Sequence, residues 1–149
     1  MNRRTTLRRA VLGCVVAIAV ATSAGCAEIE SVKAEPYEPA ALESTGPDQP
    51  ARVILTEEAV GRVALQTTEV KSLGKDLAVD HAALVFDKAG KPWVFTVVGP
   101  RSYVRASVSI KDVQDHVVTL SAGPPAGTQV VTVGAIELWG AELGIAGKH

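Results

Sequence analysis

The sequence predicts a mainly β protein: one small β-rich domain, barrel- or sandwich-like, with one or two short helices, after an N-terminal segment of different character. Three observations predict it. Short runs of β-branched and aromatic residues recur after residue 51, the clearest being Trp93-Val94-Phe95-Thr96-Val97-Val98, and such side chains suit a pleated, half-buried surface. Glycine and proline clusters punctuate these runs, as in Gly123-Pro124-Pro125-Ala126-Gly127, which is turn or loop chemistry. Residues 102–110 alternate Tyr103, Arg105, Ser107 and Ser109 with Val104, Ala106, Val108 and Ile110, the period of a half-buried strand.

The first element, residues 1–25, reads as a signal peptide. Arg3, Arg4, Arg8 and Arg9 precede an apolar run over residues 10–21, the n-region and h-region of an export signal. The run is about a dozen residues, whereas a bilayer-spanning helix needs roughly 20. Arg8-Arg9 fits general export or the twin-arginine route. The run ends in Thr22-Ser23-Ala24-Gly25-Cys26, which resembles the lipobox of bacterial lipoproteins, small residues directly before a cysteine, with Ser23 where Leu is usual. That resemblance implies cleavage before Cys26 and lipidation of Cys26, hence a chain anchored to the extracytoplasmic face of the cell membrane. Cys14 leaves with the signal peptide, so Cys26 is the only thiol of the mature chain. No intramolecular disulfide can form, and the domain must be held by its core.

Residues 26–50 form the second element. Residues 27–50 hold six acids (Glu28, Glu30, Glu35, Glu38, Glu43, Asp48) against Lys33, a net of −5, with Pro36, Pro39, Pro47 and Pro50 among them. Without apolar periodicity this composition predicts a disordered linker, with an r.m.s. span of roughly 25–30 Å. Residues 51–149 carry ten acids and ten lysines or arginines, a net of zero. No basic patch of the kind nucleic acid requires is visible. At roughly 100 residues this third element is long enough for one hydrophobic core.

Within residues 51–149, Arg52-Val53-Ile54-Leu55 reads as a strand. Thr56 is an N-cap candidate with Glu57 and Glu58 in the first helical turn, and Val60, Val63 and Ala64 give a short amphipathic stripe. Residues 67–71 read as a strand, residues 72–75 as a turn, and residues 77–87 as a long irregular strand. Ala83-Leu84-Val85-Phe86 and Trp93 to Val98 flank Asp87-Lys88-Ala89-Gly90-Lys91, a hairpin in which Gly90 supplies φ > 0. Residues 116–120 and 130–133 are further strands. Ile136, Trp139 and Leu143, at helical spacing, predict a final helix over residues 135–143 that caps the sheet.

Three of these stretches resemble the C-terminal, membrane-proximal part of the periplasmic adaptor subunits, or membrane fusion proteins, of tripartite efflux pumps. They are the hairpin Asp87-Lys88-Ala89-Gly90-Lys91-Pro92-Trp93-Val94-Phe95, the segment Ser121-Ala122-Gly123 to Gly127 with Val130-Val131-Thr132-Val133-Gly134-Ala135, and the segment from Arg52 through Val70. Val79-Asp80-His81-Ala82-Ala83 departs from the proline-containing lead-in of that family. Only residues 71–78 separate Val70 from Val79, which leaves no room for the family's lipoyl-like domain, β-barrel and helical hairpin. The resemblance therefore implies a free-standing membrane-proximal domain, linked to a transporter permease or another envelope protein, with ring-forming homo-oligomerisation as the family's habit. The missing outer reach suits a single-membrane envelope.

No catalytic constellation is expected. Asp80-His81 and Asp115-His116 combine metal-binding side chains, but neighbours on a strand point to opposite faces, so neither pair chelates locally and no metal or cofactor is predicted. Ser107 and Ser109 lack a nucleophile elbow, and residues 123–127 lack the Lys-Ser/Thr ending of a phosphate loop. Trp93, Phe95 and Tyr103 suit a core, with Trp139 the aromatic best placed outside it. Arg101 and Arg105 flank Tyr103 on a strand face that is either simply solvated, the reading favoured by composition, or set to meet acids of a partner. Tyr103, Arg105 and Trp139 are thus the partner-binding candidates. The expected function is that of a non-enzymatic, lipid-anchored adaptor linked to transmembrane efflux, the alternative being a lipoprotein that binds a small ligand or an ion.

Overall fold

The computed structural model describes residues 37–145; the signal segment, the Cys26 lipidation site and His149 lie outside the described residues. Strands β1 (Ala40–Glu43) and β2 (Arg52–Leu55) are followed by helix α1 (Glu57–Val63), then by β3 (Gln66–Glu69), β4 (Lys71–Leu73) and β5 (Asp76–Asp80). A 3-10 turn over His81–Ala83 leads to β6 (Val85–Phe86), β7 (Pro92–Gly99), β8 (Ser102–Ser107), β9 (Ser109–Gln114), β10 (Val117–Ala122), β11 (Gln129–Val133) and helix α2 (Ala135–Glu142). Seven strands form one sheet in the order β1-β2-β8-β7-β11-β3, with β6 added beside β7, and four form a second in the order β4-β5-β10-β9. Every pairing is antiparallel. The fold is mainly β and sandwich-like, and neither sheet closes into a barrel.

The alternation of side chains across a strand decides where the core sits. On β7, Phe95 joins a cluster with Val53, Tyr103, Val131 and the helical residues Ala59, Leu138 and Ala141. Its neighbour Val94 points the other way, into a cluster with Val79, Val118 and Leu120 of the smaller sheet. Val130 and Val131 divide in the same way on β11. The larger sheet is therefore a middle layer, with the two helices on one face and the smaller sheet on the other. Each fully buried Val, Leu or Phe contributes about 1.5–3 kcal/mol. Two such clusters, rather than disulfides, hold this cysteine-free part of the chain together.

Several expectations hold as stated. Thr56 caps α1, its hydroxyl accepting from the Ala59 N–H at 3.1 Å, and β6 and β7 form the expected hairpin, with Gly90 at φ +75°. The strands expected over residues 67–71 and 77–87 are each divided, the first between β3 and β4 and the second by the 3-10 turn, and β4 takes in part of the turn expected over residues 72–75; four other details differ. The linker expected over residues 26–50 contains β1, which pairs with β2, and the Pro39 carbonyl accepts from the Thr56 N–H; the folded part begins ahead of residue 51. The buried residue of α1 is Ala59, whereas Ala64 has left the helix at φ +51° and is exposed. The strand expected over residues 102–110 divides at Val108 into β8 and β9, which belong to different sheets. On α2 the buried residues are Ala135, Leu138 and Ala141, so Ile136 is 66% exposed rather than inward.

Candidate functional site

Strand β8 carries Arg105 on the same face as Tyr103, two residues apart, and α2 crosses that face. The register sets Arg105 opposite Phe95 of β7, one diagonal step from Trp93. Helical geometry then brings Trp139 and Glu142, three residues apart on α2, to the same place. The Arg105 guanidinium lies 4.3 Å from the centre of the Trp93 ring and 4.5 Å from that of Trp139. It is stacked against two π-systems, each attractive to a cation. Its Nε donates to Glu142 Oε1 at 2.9 Å, in an ion pair whose side chains are only 20% and 7% exposed. Glu142 Oε2 is buried and has no hydrogen-bond partner among the described residues.

The β6–β7 hairpin supplies the next layer. Asp87 Oδ2 accepts from Trp93 Nε1 at 3.1 Å, and its Oδ1 accepts from the backbone N–H groups of Ala89 and Lys91, both at 2.9 Å. The Lys91 N–H foremost, then the Trp93 indole, holds the Asp87 carboxyl below its ordinary value. Lys91 Nζ lies 4.5 Å from the Trp93 ring centre. An open cleft of about 350 Å³ borders this cluster, lined by Asp87, Lys88, Ala89, Arg105, Trp139 and Leu143. Its walls present an ordered aromatic ring, a stacked guanidinium and an exposed leucine, side chains suited to contact with a protein surface.

Of the three partner-binding candidates, Arg105 and Trp139 are brought together, and both are half-buried. Tyr103 takes the core place that its ring suited and is corrected as a partner-binding candidate: it is 5% exposed, between the middle sheet and the helices. Burial raises its hydroxyl's pKa, with Arg101 acting in the opposite direction. The face expected to be exposed is covered by α2, and Arg105 meets an acid of its own chain. Sequence reasoning missed the participation of Trp93, Asp87 and Glu142. Glu142, three residues after Trp139 on the predicted helix, carried a signal for one of them.

The two acid-histidine pairs also become neighbours, the His81 N–H donating to the His116 carbonyl at 2.8 Å. Asp80 is committed to capping the 3-10 turn through the Ala82 N–H. Among the described residues no three His, Cys, Asp or Glu side chains are grouped to hold a metal ion, and no helix is long and apolar enough to cross a membrane. No model of a known protein family matches this chain, and no curated protein matches it.

Proposed function

We propose that the protein is a lipoprotein anchored through Cys26 at the extracytoplasmic face of the cell membrane, whose β domain is a non-enzymatic interaction module of a transport complex. The observation that carries the interaction role is the cleft beside Trp139 and Arg105. Tryptophan and arginine dominate the energetics of protein interfaces. Here the guanidinium lies over two indole rings and is ion-paired, so little side-chain freedom remains to be lost on binding. The anchoring role is supported by the cationic stretch, apolar run and Thr22 to Cys26 motif at the N-terminus. The resemblance to efflux adaptors supports a permease as the partner.

The test is chemical crosslinking of the lipidated protein in intact cells, followed by identification of what copurifies from gently solubilised membranes. A transporter permease should be recovered, and Trp139→Ala should reduce that recovery while leaving the protein in the membrane. Cys26→Ser should release the protein from the membrane fraction. Recovery of the protein alone, with and without the Trp139 change, would overturn the adaptor role and favour the binding of a small ligand or an ion.

A further inference from the structure

A second concavity lies between α1 and α2. This groove of about 210 Å³ is lined by Ala40, Leu55, Ala59, Val63, Leu138 and Ala141, and its lining is almost wholly apolar. Small side chains leave it open, since alanines stand at three of those six positions. Protein interiors leave few voids larger than a water molecule, and an apolar recess open to solvent is a feature of binding surfaces. Apart from Glu137 at its mouth, no charged side chain lines it to orient a hydrophilic ligand.

Acids outnumber bases around the mouth, four glutamates against Arg62 and Arg101. Glu137 lines it, Glu38 precedes the lining residue Pro39, and Glu57 and Glu58 stand at the start of α1 directly ahead of Ala59; all four glutamates are exposed. Glu58 pairs with Arg62 at 2.6 Å and Glu57 with Arg101 at 3.5 Å. Glu38 and Glu137 make no salt bridge among the described residues. The apolar recess thus has a rim of net negative charge, with Glu38 and Glu137 the acids outside salt bridges among the described residues.

We infer that this groove docks a cationic segment of a partner protein, one apolar side chain entering between α1 and α2 while flanking lysines or arginines face Glu38 and Glu137. The inference rests on the interaction role proposed above and adds the chemistry of the partner. Charge complementarity selects this occupant. Anionic lipid headgroups would meet the acids with repulsion, and an isologous contact with a second copy would set the same acidic rim against itself.

The experiment uses the full, lipidated protein in intact cells with a photo-crosslinking residue at one of two places. Val63→p-benzoylphenylalanine reports on the groove and Leu143→p-benzoylphenylalanine on the cleft beside Trp139. The crosslinked peptides are then sequenced. The groove probe should join a partner segment with net positive charge that includes an apolar side chain. Glu38→Lys with Glu137→Lys, both at exposed positions, should cut that yield about tenfold, and the corresponding glutamine pair by less. A groove probe that captures lipid, a second copy, or an acidic or uncharged segment overturns the inference. So does a silent groove probe beside a productive Leu143 probe, which leaves the interaction role standing. If neither probe captures a protein, both fail together.

Discussion

Replacing Arg105 with methionine tests whether the cluster behaves as a buried ion pair or as a surface contact. Methionine keeps most of the aliphatic stem and removes the guanidinium, leaving Glu142 buried with neither carboxylate oxygen partnered, because Oε2 already lacks a donor. Removing one member of a buried pair costs about 3–5 kcal/mol, and the residual exposure of Arg105 places the expected loss near 3 kcal/mol at the low end of that range. Glu142→Gln should cost about 1–2 kcal/mol, since an amide oxygen still accepts from Nε. The double variant Arg105→Met with Glu142→Leu should be more stable than Arg105→Met alone, because an apolar pair has no charge to leave stranded. Urea unfolding followed by tryptophan fluorescence suits the question, for Trp93 and Trp139 are the chain's two tryptophans and both contact the guanidinium. With a urea slope of about 1–3 kcal/mol per molar, a loss of 3 kcal/mol lowers the midpoint by roughly 1–3 M. A loss under about 1 kcal/mol for Arg105→Met, the range of exposed pairs, or a double variant less stable than the single, would refute the reasoning.

Three further outcomes are expected. Gly134 sits at φ +95°, and a Cβ there would lie 2.6 Å from Val63 Cγ1, so Gly134→Ala should cost roughly 2–4 kcal/mol from backbone strain plus overpacking. Gly127→Ala, at φ +87° with nothing in the way, should cost only the strain, about 1–2 kcal/mol, and urea midpoints of the pair separate the two causes. Thr56→Ala removes the acceptor of the Ala59 N–H and should lower stability by about 1 kcal/mol, read by the same unfolding curve. Asp87 has a carboxyl depressed chiefly by the Lys91 N–H and then by Trp93; its stabilisation is present above the unfolded value of about 3.9 and is lost as the pH falls through the lower folded value. Asp87→Asn should therefore be less stable than the parent at neutral pH and show a flatter decline below about pH 4, measured as urea midpoints across that range.

The strand grammar was readable wherever local chemistry decided the outcome. Thr56 with Glu57 and Glu58 marked the start of α1, and Gly90 marked the β6–β7 turn, because both are satisfied within a few residues of sequence. What the sequence hid was which layer each face would meet. Tyr103 and Arg105 alternate with Val104 and Ala106 as a polar face should, yet that face is covered by α2, some 30 residues on by roughly the length of three strands and their turns. A sheet buried on both faces loses its polar side, and the run Trp93 to Val97 is apolar but for Thr96 for that reason. The composition of residues 27–50 concealed β1 in the same way: Ala40–Glu43 has no strand pattern of its own and is held by its ladder to β2.

Helix α2 links the two surface features. Leu138 and Ala141 fix it to the core, Trp139 and Leu143 border the cleft with Arg105, and Glu137 and Ala141 border the apolar groove. A helix presents neighbouring surfaces through residues three and four apart, so its eight residues and the capping Leu143 suffice to serve both. The Arg105–Glu142 pair fastens the C-terminal turn of α2 to β8, while at the other end Gly134 permits the close approach to Val63. A change that loosened either attachment would disturb the cleft and the groove together, whereas Trp139→Ala and Glu137→Lys should act separately. Coupled loss of both crosslinks in Arg105→Met, beside independent losses in those two variants, is the pattern expected if α2 is a rigid element shared by two contacts.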